Sequence, residues 1–215
     1  MDEIAPGIFH WVTFHERIQM PVCSYYVEPA GVVIDPMVPD DGLEVFDGHE
    51  KPQQALLSTR HHYRHCDEFV ERFGLVVVAS SPGLHEFEGT DRRVEGFEDG
   101  DEVAPGVVAI ITDAISPDDT TFAIAHGGGA YAFADGLVRP PGGPVGVVPD
   151  QLMDDPPKTK QGLQNAYRGL LERDFEFEHL LFAHGDPLLG GGRAALKEFV
   201  SNPVGELDFG AFAPS

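Results

Sequence analysis

The chain has 215 residues, 42% of them hydrophobic, and a formal net charge of -22 from 36 acidic and 14 basic residues. That apolar content supports a folded core and excludes wholesale disorder. The acidity argues against nucleic acid or an anionic membrane surface as a partner. The basic residues are ten Arg and only four Lys, a balance that resembles halophilic, salt-adapted proteins. Two cysteines, Cys23 and Cys66, make no disulfide framework. The opening Met-Asp-Glu has neither the basic nor the apolar region of a signal peptide. No run approaches the ~18 apolar residues of a membrane span. A single domain over 1–215, soluble and cytoplasmic, is the expectation.

In chain order, Ile8–Thr13, Ser24–Val27 and Gly31–Ile34 read as strands, with Glu28-Pro29-Ala30 as a turn. The β-branched run Val32-Val33-Ile34 stops at Asp35-Pro36. Asp35 reads either as a cap on nearby loops or as a plain turn aspartate. Gly42–Phe46 predicts a short helix and Ala55–Ser58 a buried strand. Asp67–Phe73 predicts a helix with Gly74 just past its end, followed by the apolar strand Leu75–Ala79. Strand, helix and strand in that order predict a parallel βαβ unit. Residues 81–106 are polar and predict loops and short edge strands. Val107–Thr112, Thr121–Ala125 and Ala130–Phe133 are strands, the last two joined by a turn at His126–Gly129. Residues 139–149 form an irregular crossing. Lys158–Arg173 is the strongest helix, and His179–Phe182 is the last strand. Ala194–Val200 closes the chain as a helix, and the tail after Pro203 is expected to be loosely held. About ten strands with outer helices predict two packed mixed sheets.

The stretch Ser58-Thr59-Arg60-His61-His62-Tyr63-Arg64-His65-Cys66-Asp67 carries the densest chemistry. It leaves a buried strand, so it predicts a loop facing a cleft. Three histidines in five residues have a metal-site density, and the two arginines oppose it, because a fixed cation repels a metal ion. Cys66 reads as a buried, inert thiol.

Five landmarks occur in order. They are the hairpin from Ser24 to Pro36, the cluster from Leu56 to His65, and Gly100-Asp101-Glu102-Val103. Phe133-Ala134-Asp135-Gly136-Leu137 and Ala183-His184-Gly185 complete the set. Together they resemble the metallo-β-lactamase superfamily over residues 8 to about 200. The resemblance implies an α/β (α+β) fold, an αββα four-layer sandwich of two mixed sheets flanked by helices. It also implies that the cluster lies where the family carries its H-x-H-x-D-H metal motif. Here Arg60 replaces the first histidine and Arg64 the aspartate, while His62 and His65 match the other two. No histidine stands at the family's middle position, near residues 116–119. Asp135 matches the bridging aspartate and His184 the last histidine. The metal candidates are therefore His62, His65, Asp135 and His184.

At ~5 Å and an effective dielectric near 20, one guanidinium repels a dication by about 7 kcal/mol. Even a third of that lowers affinity by a factor of roughly 50. The expectation is a degenerate centre with no metal or one weakly held Zn or Fe ion. Arg60 or Arg64 is expected to pair with Asp135, with Asp118 or Asp119 as further carboxylates left without a metal. Asp135, Arg60 and Arg64 would do the chemistry, and Arg60, His61, Tyr63 and Arg64 would bind a small anionic ligand. The alternative is a mononuclear hydrolase of an ester, thioester or phosphoester, its metal on His65, Asp135 and His184.

Overall fold

The computed structural model describes residues 1–202 and Val204. Twelve strands run β1 Asp2–Ala5, β2 Ile8–His15, β3 Met20–Val27, β4 Val32–Ile34, β5 Gln54–Leu56 and β6 Val76–Ser80. They continue as β7 Val94–Phe97, β8 Glu102–Ala104, β9 Val107–Ile111, β10 Thr120–Ile124, β11 Ala130–Phe133 and β12 His179–Phe182. Three helices are α1 Cys66–Phe73, α2 Pro156–Glu172 and α3 Gly192–Ser201. The part of the expected loose tail from residue 205 on falls outside the described residues.

The first sheet has the order β1-β2-β3-β4-β5-β6-β7 and the second β12-β11-β10-β9-β8. Both are mixed. In the first, β4 to β7 pair in parallel, including the βαβ pair β5–β6. In the second, β11 and β12 are parallel and the rest antiparallel. The parallel strand β4 reads Val-Val-Ile with every residue buried, as a strand covered on both faces must. The polar stretch 81–106 supplies one edge strand of each sheet, β7 and β8.

Three apolar layers hold the sandwich. Tyr25, Ile34, Leu56, Val107, Phe122 and Ile124 fill the space between the sheets. Phe133, Leu163, Tyr167, Leu170, Leu196 and Phe199 join the second sheet to α2 and α3. Trp11, Tyr26, Phe46, Phe69, Phe73 and Val77 join the first sheet to α1. Helix, sheet, sheet and helix are thus stacked as four layers. No helix among the described residues is long and apolar enough to cross a membrane.

Two elements differ from expectation. β1 was not anticipated, because Asp-Glu-Ile-Ala lacks apolar alternation; it is an edge strand held to β2. β3 begins at Met20, four residues early, despite Pro21. Pairing with the whole of β2, from Ile8↔Val27 to His15↔Met20, overrides the local signal and builds a long hairpin.

His10 on this hairpin stacks on Tyr25, ring centroids 5.1 Å apart, and its Nε2 is buried without a partner. Burial pushes its pKa down from 6.5 to about 4, even with Asp186 and Asp2 nearby. The fold therefore resists a proton that the unfolded chain accepts. Stability is full above pH 6.5 and falls as pH drops toward 4, by roughly 3 kcal/mol at the lower end. In urea titrations His10→Phe should flatten the decline between those two pH values. An unchanged decline would show that it comes from other groups.

Candidate functional site

The site is mounted on the ends of parallel strands. β4 and β5 run in register, Ile34 opposite Leu56, so Asp35 and the Ser58 region emerge side by side. Asp35 N–H donates to Leu56 O at 3.0 Å. The backbone of Asp35 is left-handed, φ +48°, a region aspartate enters more readily than most residues. Its carboxylate is 98% buried and accepts from Ser58 N–H at 2.8 Å and Ser58 Oγ–H at 2.5 Å. The same carboxylate lies 3.0 Å from His62 Nδ1.

His62 sits in the short turn Arg60–Tyr63, which is capped by Thr59 Oγ1 accepting from His61 N–H. Its other nitrogen, Nε2, lies 3.3 Å from Asp135 Oδ1, just past the end of β11. The same oxygen is 3.1 Å from His184 Nε2, just past the end of the neighbouring strand β12. Asp35, His62, Asp135 and His184 therefore form one continuous polar chain across the strand ends of both sheets.

The protonation states follow from the neighbours. Burial opposes charge on His62, but Asp35 and Asp135 outweigh both burial and Arg64 and raise its pKa to about 9. Burial also works against Asp35 and Asp135. His62, Arg64 and Ser58 nevertheless hold Asp35 below the usual carboxylate range, and His62 with His184 holds Asp135 well below it. His184 goes the other way, because burial outweighs Asp135 and lowers it. These neighbours favour the imidazolium form of His62 and the neutral form of His184. A neutral His184 must carry its proton on Nε2 to donate to Asp135, which leaves the buried Nδ1 without a partner. Asp119 is also buried, and burial raises its carboxyl to about 7 against its bonds from Thr112 and Gly136.

Neither guanidinium pairs with Asp135, contrary to expectation. Arg60 instead forms an ion pair with Asp118, which is 99% buried. The Arg60 N–H also donates to Asp118 Oδ2 at 2.6 Å, and Ser116 Oγ–H donates to Oδ1 at 3.0 Å. The short loop before β10 brings Asp118 to the residue that occupies the motif's first position, so the nearer carboxylate takes the cation. Arg64 turns inward on a backbone with φ +46° and donates through Nη1 to Cys23 O at 2.6 Å and Asp35 O at 2.7 Å. Asp135 is left to the two imidazoles. Three cations, Arg60, Arg64 and His62, thus face three carboxylates, Asp35, Asp118 and Asp135.

His65 lies outside the chain of site groups. The backbone turn at Arg64 places His65 at the start of α1, where its Nδ1 accepts from Val38 N–H at 3.0 Å. Tyr63 does not reach the cleft either. It is buried in the layer between the first sheet and α1, donates to Asp67 Oδ1 at 2.7 Å, and packs under Arg92 and against Phe87. His61 is exposed and lines the cleft with Arg60, His62, Arg64, Asp135 and His184. Cys66 is fully buried, and burial raises its pKa well above the thiol value. Sequence reasoning missed Ser58 and undervalued Asp35. The abrupt Asp-Pro stop beside a cluster of histidines was the available signal.

The ligating atoms of His62, Asp135 and His184 all lie within 4.8 Å of one another. Two imidazoles and a carboxylate suit one zinc or iron ion, and Asp35 behind His62 is the carboxylate support that metal-bound histidines commonly have. The donor set fits one ion. Among the described residues no second group of ligands stands beside it, and Arg60 and Arg64 line the same cleft.

Neither a protein-family model nor a curated protein matches the sequence. Solved structures do. The DIM-1 metallo-β-lactamase superposes with a TM-score of 0.69 at 12% identity, over 93% of this chain and 94% of that one. The di-iron-bound form of TTHA1623 gives 0.63 at 23% identity, over 86% and 96%. The mono-zinc form of FIM-1 from Pseudomonas aeruginosa gives 0.64 at 14% identity, over 91% and 90%. This chain has the metallo-β-lactamase fold, the αββα sandwich. Within that fold the described residues include a His–Asp–His cluster with the spacing to hold a metal ion, in a cleft that Arg60 and Arg64 also line.

Proposed function

We propose that this protein binds a small organic anion in a metallo-β-lactamase-fold cleft where guanidinium and imidazolium groups have taken over most of the work of metal ions. The carrying observation is the Arg60–Asp118 ion pair, a matched pair of charges where the resemblance implies the first motif histidine and the segment of the middle one. His62, charged between Asp35 and Asp135, adds a third cation. The centre is then neutral without a metal, and a divalent ion has to displace the His62 proton and face two fixed guanidinium groups. Arg60, His61 and Arg64 line the cleft where the anion would lie.

A second reading is favoured by the spacing of His62, Asp135 and His184. These three would hold one zinc or iron ion, and a mononuclear hydrolase of an ester, thioester or phosphoester would follow. A bound ion would supply Lewis-acid polarisation of the scissile group. The chain itself would contribute Arg60 and Arg64 to hold developing negative charge. Asp35 would fix the His62 ring through Nδ1.

Metal analysis of protein purified without added metal separates the readings. The expected result is well below one zinc or iron per chain, with no loss of fold after chelator treatment. A stoichiometric ion that is lost on His184→Ala and kept on His65→Ala would favour the hydrolase.

A further inference from the structure

The cleft encloses about 800 Å³, room for a ligand larger than a simple inorganic anion. Its lining includes Arg17, Arg60 and Arg64, three of the ten arginines of a strongly acidic chain, with Asp135 the only carboxylate among the described lining residues. The same lining includes the apolar side chains of Ile18, Val148 and Leu152. Ile18 and Leu152 are 44% and 58% exposed, so both apolar side chains are open to a ligand in the cleft.

Two buried polar atoms of lining residues lack partners among the described residues, Arg64 Nη2 and His15 Nδ1. A buried guanidinium N–H without an acceptor costs free energy until an acceptor arrives. Arg17, at the tip of the β2–β3 hairpin, also makes no ion pair among the described residues.

Resting on the anion-binding reading above, we infer that the ligand is an amphiphile, with an anionic oxygen head beside Arg64 and Arg17 and an apolar body along Ile18, Val148 and Leu152. A carboxylate and a phosphate monoester share this head chemistry, and both are tested. The cations confer the attraction for charge, and the apolar side chains set a preference for length.

The test is calorimetric titration of the full chain with acetate, butanoate, hexanoate, octanoate, octyl phosphate and 1-octanol. Affinity should rise about fourfold per methylene buried along the carboxylate series. Arg17→Gln should weaken every anion alike, by about twofold to fivefold. Ile18→Ser combined with Leu152→Ser should abolish the rise with chain length while leaving the shortest anions unchanged. Both positions are exposed, and an unchanged Tm confirms that the variants fold. Tighter binding of either octanoate or octyl phosphate supports the inference and identifies the head. Equal binding of all carboxylates overturns the amphiphile while leaving the anion reading standing. A length effect that survives the double substitution also overturns it. Octanol binding as tightly as octanoate removes the anion reading, and no saturable binding of any probe removes both.

Discussion

Asp35→Ala is expected to lower stability by about 3–5 kcal/mol, the usual cost of removing one partner from a buried charged pair. The variant removes the acceptor on which the Ser58 N–H, the Ser58 hydroxyl and His62 Nδ1 converge, and leaves Ser58 Oγ and His62 Nδ1, 3.0 Å apart, only each other. The pH dependence distinguishes this from simple loss of packing. Asp35 is held below 3.8 in the fold, so its contribution is present above that pH and is lost as pH falls through the lowered value. His62 is raised to about 9, so its share is complete below 6.5 and is lost as pH rises through 9. The gap between the native chain and Asp35→Ala should therefore be widest between about pH 4 and 6.5. It should narrow on both sides. Urea denaturation across that range reads it, and a gap below about 1 kcal/mol throughout would mean that the buried chain of charges does not hold the site together.

The second large effect concerns metal affinity. Arg60→His, Arg64→Asp and Asp118→His together remove two guanidinium groups and add ligand types the fold can use. Removing even a third of the repulsion of each cation strengthens binding by roughly 2,500-fold when both are gone. Competition against a chromophoric chelator should show zinc binding tighter by that order. Arg64 also donates to Cys23 O and Asp35 O, so its loss carries a folding cost. The pair Arg60→His with Asp118→His keeps those bonds and should show a smaller gain in the same direction. If the native chain already binds zinc as tightly as either variant, the arginines do not exclude metal.

Much of the architecture was legible in the residues. Val32–Ile34 and Leu75–Ala79 are apolar runs that suit strands of a covered sheet, and the helix with Gly74 at its end fixes the crossover between β5 and β6. β1 and the early start of β3 were not legible, because their pairing with β2 is a long-range effect. In the site, His62, Asp135 and His184 come together as the order of landmarks implied. His65 does not join them, because the left-handed turn at Arg64 cannot be read from a string of residue types. Arg60 or Arg64 was expected to pair with Asp135, whereas Arg60 pairs with Asp118, 58 positions away, a long-range approach that no local pattern encodes. Tyr63 was misplaced for a local reason: the segment is a tight turn, not an extended loop, and its side chain falls on the helix-covered face.

Asp35 and Ser58 take their positions from adjacent strands of the inner sheet, while Arg17, Ile18 and Leu152 sit on the hairpin tip and an outlying segment. The mounting and the mouth of the cleft therefore belong to separate parts of the molecule. Changes at the rim can redirect what is admitted without disturbing the anchorage beneath, and selection can retune preference while the deep charge arrangement is inherited intact.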